Sequence, residues 1–303
     1  MRGMNIQRIL LAAIVLSLSA PLFAADSKTE VKRPPIVGVA WISLRTADMD
    51  GTRKFYTGYL GLPELSKDAV PGAAVFQVDE HQFVQVLPEL KDPKQNRLID
   101  MAFETSNAEQ LRAYLASKGV KVPEKVEATG LGTMGFAITD TENHVVKFVQ
   151  FASKSPAMKT AGQDNRVSSH MIHTGFIVHD RAGADHLFRD ILEFKETWHG
   201  GMKDNEVSWV DMRVPEGKDW LEYMLNYPDD DVRISGIMNH LALGVPSVKD
   251  GYETVVKRGM DPEKPKIGRD GKWQLNLYSP DLTRVELMEP KPVETPCCSP
   301  MLQ

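Results

Sequence analysis

The chain has 303 residues, enough for one large domain or two of ordinary size, and is 42 % apolar and 25 % charged. Those proportions exclude a disordered, collagen-like or coiled-coil protein. Its 36 basic and 41 acidic residues give a net charge of −5 with no basic block, which argues against nucleic acid or an anionic membrane as partner.

Residues 1–24 stand apart. Arg2 and Arg8 precede an apolar run over residues 9–20, and small residues follow at Ala24 and Ala25. That order reads as a secretory signal cut after Ala24. The run is shorter than the roughly 20 apolar residues that span a bilayer, so a membrane anchor is the weaker reading. Removing the signal leaves 34 basic residues (36 − 2) against 41 acidic, a net charge of −7. The mature protein is expected in the periplasm or secreted, free of the membrane.

The remaining chain repeats. Four β-like runs can be aligned on Trp41, Asp100, His173 and His240, and two positions after each anchor stands a small residue: Ser43, Ala102, Gly175 and Ala242. In a strand such a pair shares one face. Seven positions after the anchors come Asp48, Asn107, Asp180 and Ser247, all residue types that cap helix N-termini. The helical stretches that follow end near Gly61, Gly119, Glu193 and Gly259, at 20, 19, 20 and 19 residues from the anchors. Gly is the usual residue just past a helix end, and only the third unit lacks it.

Each unit closes with an apolar run that holds one central polar residue. These residues are Gln85, Lys147, Glu222 and Glu286, at 44, 47, 49 and 46 positions from the anchors. A lone polar side chain in such a run points to a pocket or to solvent. Each unit therefore predicts a strand, a helix and about three further strands, and such a unit must pair to bury its helix and one sheet face. The polar stretch 153–169 acts as a linker between domains at 35–152 and 170–290. Residues 291–303 read as a flexible tail. It carries both cysteines, Cys297 and Cys298, which could bind a soft metal or form a vicinal disulfide but are expected to have no catalytic role.

Four βαβββ modules paired into two domains, an α+β fold, resemble the vicinal oxygen chelate superfamily. Phrases such as Phe55-Tyr56-Thr57-Gly58-Tyr59-Leu60-Gly61 and Tyr278-Ser279-Pro280-Asp281-Leu282-Thr283-Arg284-Val285-Glu286 look like its helix end and its last strand. The group includes glyoxalase I, methylmalonyl-CoA epimerase, fosfomycin-resistance proteins and type I extradiol dioxygenases. The resemblance implies metal ligands on the first and last strands of paired modules. In the second pair these positions are His173, Glu222, His240 and Glu286. In the first pair they are Trp41, Gln85, Asp100 and Lys147; Trp cannot ligate, and Lys adds positive charge where a cation would sit. The first domain is expected to hold no metal.

Two imidazoles with carboxylates suit one divalent ion, Fe, Ni, Mn, Co or Zn. Three ligands, His173, His240 and Glu286, leave open positions for substrate oxygens, and a bound dication favours loss of a neighbouring proton. Glu222 is either a fourth ligand, as in nickel-type glyoxalase I, or a general base. Tyr278, eight residues before Glu286, is a candidate donor to a substrate oxygen, although packing at a strand end competes with that role.

The expected function is an exported isomerase or lyase of the glyoxalase type, acting through an enediolate on a small α-hydroxycarbonyl or similar oxygen-chelating molecule. One alternative is an Fe(II) extradiol dioxygenase, and another is a non-catalytic binding protein. The metal, the substrate and the choice between monomer and homodimer stay open at this level.

Overall fold

A computed structural model describes residues 31–152, 165–225, 227–228 and 232–302; the proposed signal and residues 153–164 of the linker lie outside them. The described residues form two curled sheets. The first has the strand order β2-β3-β1-β4-β7-β6-β5. Its strands are β1 (Ile36–Arg45), β2 (Ala74–Gln77), β3 (Phe83–Leu87), β4 (Leu98–Thr105), β5 (Glu127–Gly130), β6 (Thr133–Thr139) and β7 (Val145–Phe151). The second has the order β13-β14-β15-β12-β8-β11-β10-β9. It is built from β8 (Met171–Val178), β9 (Lys195–Gly200), β10 (Trp209–Arg213), β11 (Trp220–Leu225), β12 (His240–Gly244), β13 (Lys266–Ile267), β14 (Trp273–Tyr278) and β15 (Arg284–Met288). Each sheet is a pair of modules, so the fold is α+β with four repeated units. Among the described residues no helix is long and apolar enough to cross a membrane.

Within each sheet the first strands of the two modules run antiparallel, β1 against β4 and β8 against β12, while each closing strand runs parallel to its own first strand. This arrangement explains the small residues. Ser43 lies opposite Asp100, Ala102 opposite Trp41, Gly175 opposite His240 and Ala242 opposite His173. The same four residues pair on their other side with Gln85, Lys147, Glu222 and Glu286. Each is flanked by two large site residues and must itself be small.

The helices begin where the side-chain oxygens predict. They are α1 (Met49–Arg53), α2 (Ala108–Ser117), α3 (Arg181–Asp185) and α5 (Val248–Lys257), with a short α4 (Val232–Ile237) before β12. Asp48, Asn107, Asp180 and Ser247 accept hydrogen bonds from the backbone N–H groups of Gly51, Gln110, Gly183 and Asp250. In the first and third modules the helix widens into a π-helical turn over Lys54–Tyr59 and His186–Ile191. Leu60 N–H then bonds Phe55 O, and Leu192 N–H bonds Leu187 O, five residues back in each case. A π turn takes in one extra residue, which is why these modules reach their helix ends after 20 residues and the others after 19. The four end residues have positive φ: 72° at Gly61, 83° at Gly119, 64° at Glu193 and 91° at Gly259. Glu193 accepts the left-handed conformation that glycine takes elsewhere.

The first module differs from expectation. It has two strands after its helix instead of three, and where the missing one would run there is only the bridge Glu64–Phe76. Pro63 removes a ladder donor there, and polar turn residues follow from Ser66. The tail also differs from the flexible segment expected. Ser299 bonds both His199 N–H and His199 O, Leu302 N–H bonds Thr197 O, Trp198 Nε1–H bonds Cys297 O, and Cys297 N–H bonds Arg269 O. β9 is a sheet edge with backbone groups in need of partners, and residues 297–302 supply them. Cys297 and Cys298 form a disulfide with each other.

One apolar core runs through both halves. Phe103 of β4 meets Phe194 edge-on at 5.3 Å, and the Tyr114 hydroxyl of α2 donates to Ile191 O at 2.8 Å. A buried polar network adds to it. Asp219 accepts from Val39 N–H at 2.9 Å and from Gln82 Nε2 at 3.2 Å, and lies 2.8 Å from His170 Nε2. The hydrogen bond to Asp219 raises the His170 pKa despite partial burial. Protonation is thus favoured in the folded state. This contribution is complete below the ordinary histidine pKa of about 6.5 and fades as pH rises through the elevated one. In thermal melts the gap between wild type and His170→Ala should narrow as pH is raised from 6 to 9; a constant gap would exclude the ionised pair.

Candidate metal centre

On the curled face of the second sheet, four neighbouring strands, β15, β12, β8 and β11, each carry one site residue. Alternation sends Leu241, Leu243, Val285, Leu287, Leu221 and Tyr223 into the core and turns His240, Glu286 and Glu222 the other way. His173 and His240 approach with Nε2 atoms 3.1 Å apart. Glu222 Oε2 lies 3.0 Å from His240 Nε2 and 3.7 Å from His173 Nε2, and Glu286 Oε2 is 3.6 Å from His173 Nε2. Ligand atoms of His173, His240 and Glu286 all fall within 4.8 Å of one another.

These spacings fit a shared cation. Imidazole nitrogens and carboxylate oxygens bind such ions at about 2.0–2.2 Å, so two ligands subtending 90–110° lie about 3.0–3.5 Å apart. The tautomer of His240 also fits. Its Nδ1 is 2.9 Å from Met238 O and donates there, which leaves the Nε2 lone pair facing the cluster. Nδ1 of His173 has no partner among the described residues.

Electrostatics favour the ligand form of the two imidazoles. Burial lowers His240 to about 3 and holds His173 well below the ordinary histidine value, so both imidazoles are neutral at pH 7. Burial pushes the Glu222 carboxyl up to about 7. Arg284 Nη1 binds Glu286 Oε1 at 3.1 Å. The arrangement is two neutral nitrogen donors and two carboxylates at the bottom of a cavity of about 420 Å³. Trp198, Trp209 and Trp220 line that cavity, and Tyr278 stands at it on the exposed side. The structure thus brings His173, Glu222, His240 and Glu286 together and sets Tyr278 in the surrounding wall.

Gly175 is essential to this packing. A Cβ at that position would come within 2.0 Å of His240 Cε1. Gly175→Ala is therefore expected to displace the His240 ring and weaken metal binding by about 10–100-fold, the range seen when support for a ligand is lost. Titration of the purified variant with Mn(II) checks this, and unchanged affinity would refute it.

The matching positions of the first sheet are filled by the protein itself. Asp100 accepts from Trp41 Nε1 at 3.0 Å and Ser43 Oγ at 2.8 Å, and pairs with Lys147 Nζ at 2.7 Å. Trp41, Phe83, Val75 and Val149 pack around this pair. The Lys147 ammonium supplies the positive charge, and the indole of Trp41 occupies the remaining space.

Sequence reasoning missed Asp211 and Asn276, which line the cavity beside the carboxylates. Asp211 is the lone polar residue of Trp209-Val210-Asp211-Met212, the same signal that picked out Glu222 and Glu286.

Residues 38–148 match the family model of the Glyoxalase/Bleomycin resistance protein/Dioxygenase superfamily. No curated protein matches the chain. Solved structures share the fold across both halves. The Mn(II)-bound glyoxalase from Novosphingobium aromaticivorans is 21 % identical, with 84 % of this chain and 83 % of that one covered and a TM-score of 0.64. The 2,3-dioxygenase LapB from Pseudomonas sp. KL28 is 14 % identical over 88 % and 97 % of the two chains, with a TM-score of 0.67. A catechol 2,3-dioxygenase is 14 % identical over 87 % and 92 %, with a TM-score of 0.63. Residues 38–148 thus match that family's model, and the fold of both halves is the one these glyoxalase and dioxygenase structures share. Members of that superfamily include metal-dependent enzymes of both the glyoxalase and the dioxygenase kind.

Proposed function

We propose that this protein is an exported, divalent-metal-dependent isomerase or lyase of the glyoxalase type, acting on a small oxygen-chelating carbonyl compound. The observation that carries the reading is Glu222, a second carboxylate within 3.0 Å of one imidazole and 3.7 Å of the other. His173, His240 and Glu286 would hold the ion. A divalent ion bound there polarises a substrate carbonyl or hydroxyl and acidifies the neighbouring C–H.

The chain's own contribution is proton handling. Glu222 sits where it can take a proton from carbon beside the chelated oxygens and return it to the adjacent carbon. Trp198, Trp209 and Trp220 keep bulk water from the exchange. Tyr278, at the cavity wall, is placed to donate to a substrate oxygen. The alternative, an extradiol dioxygenase, rests on structural neighbours with that chemistry. A second carboxylate in the cluster weighs against it, because as a fourth ligand it competes for a position that substrate or oxygen would need.

The test is solvent exchange. Mn(II)-loaded protein in D₂O should place deuterium on the α-carbon of a small α-hydroxyketone, and chelator should abolish this. Absence of exchange together with oxygen uptake and a yellow product from catechols on Fe(II)-loaded protein would replace the reading with the dioxygenase. Export follows from residues 1–24, and an N-terminus beginning at Ala25 on protein from the native cell would support it.

A further inference from the structure

The four modules differ at one position that the metal cluster does not explain. On the strand next to each closing strand, one residue lies directly across from the central polar residue. It is Val75 across from Gln85, Ala137 across from Lys147, Asp211 across from Glu222 and Asn276 across from Glu286. In the closed first half both are apolar. In the open second half both are polar, and both line the cavity.

Neither polar residue is engaged by the protein. Asp211 is only 5 % exposed, yet its carboxyl makes no hydrogen bond among the described residues, and the carbonyl oxygen of the Asn276 side chain is buried without a partner. Burying polar groups in this state is costly unless something else satisfies them. They also occupy opposite sides of the centre. β10 and β14 flank the four ligand-bearing strands, so one residue stands beyond Glu222 and the other beyond Glu286. The indoles of Trp198, Trp209 and Trp220, on β9, β10 and β11, line the cavity on the Asp211 side.

We propose that Asp211 and Asn276 grip hydroxyl groups on either side of the substrate's chelating oxygens, so that the substrate is a polyhydroxylated carbonyl compound. This rests on the metal-dependent reading above. An acceptor on each flank matches a substrate O–H on each flank, and flat indole walls suit the carbon face of such a molecule. A site built to bond a hydroxyl discriminates against the analogue that lacks it, because the protein group is then left buried and unpaired. A carboxyl group can accept from a substrate hydroxyl in either protonation state.

Two ligands with one skeleton test this. Erythrulose carries a hydroxyl on both sides of its ketone–hydroxyl pair, and acetoin has the same four carbons and the same pair without the flanking hydroxyls. Binding to Mn(II)-loaded protein is read from the relaxation of ligand protons by the ion and needs no turnover. Erythrulose is expected to bind at least about tenfold more tightly, the order of one to two good hydrogen bonds. Asp211→Ala and Asn276→Ala should each reduce the preference severalfold, and the double variant should bind both ligands equally while keeping its metal. Equal binding of the two ligands by the wild type overturns this inference and leaves the metal-dependent reading standing. A preference that survives in the double variant also overturns it. Failure of metal-loaded protein to bind either ligand removes both.

Discussion

Alanine in place of His240 is expected to reduce bound metal from about one equivalent per chain to background. The ring is fully buried, its Nε2 faces Glu222 Oε2 and His173 Nε2, and its other nitrogen is fixed by Met238 O. Gly175, its strand partner, offers no ligand in its place. Loss of one ligand from a three- or four-ligand centre removes a large part of an affinity built from all of them. The measurement is metal analysis of wild type and variant purified alike, with circular dichroism to show that both are folded. Equal metal content in the two would exclude His240 as a ligand and with it the whole arrangement.

The second large effect separates the two carboxylates. Glu286→Gln should lose metal nearly as His240→Ala does, since Glu286 belongs to the compact group of three. Glu222→Gln should retain metal to within about tenfold in affinity but lower solvent-exchange turnover by about 10²–10⁴-fold, the range for removing a general acid–base group. The split between binding and turnover is the diagnostic. If Glu222→Gln lost metal as completely as Glu286→Gln, Glu222 would be an indispensable ligand and the proton would need another carrier. If turnover were unaffected, Glu222 would have no part in the chemistry.

Much of this was legible in the sequence because repetition constrains each module in the same way. The capping residues Asp48, Asn107, Asp180 and Ser247 fix the helix starts by a local hydrogen bond, and local bonds need no knowledge of the fold. Even the π-helical turns had left a trace, the 20-residue spacing of the first and third modules against 19 in the others. The four site residues could be located because strand alternation and module register bring positions so spaced to one face.

What was not legible depends on non-local pairing. Asp211 had the lone-polar signal in its own run, but its place across from Glu222, and that of Asn276 across from Glu286, came only with the strand register. The reason for glycine at position 175 lies in the ring of a residue 65 positions away (240 − 175). The tail was misread because composition describes the segment itself, whereas its order comes from the open edge of β9.

The ion pair of Asp100 with Lys147 has a consequence for how the halves depend on their surroundings. A positive charge carried on a lysine stem cannot be lost to a chelator or outcompeted by a rival metal, so the N-terminal half completes its interior as soon as it folds. The C-terminal half gathers two acidic groups and two imidazoles, which on the proposed reading an exchangeable ion would join. On that reading scarcity of metal in the milieu would act through the C-terminal half.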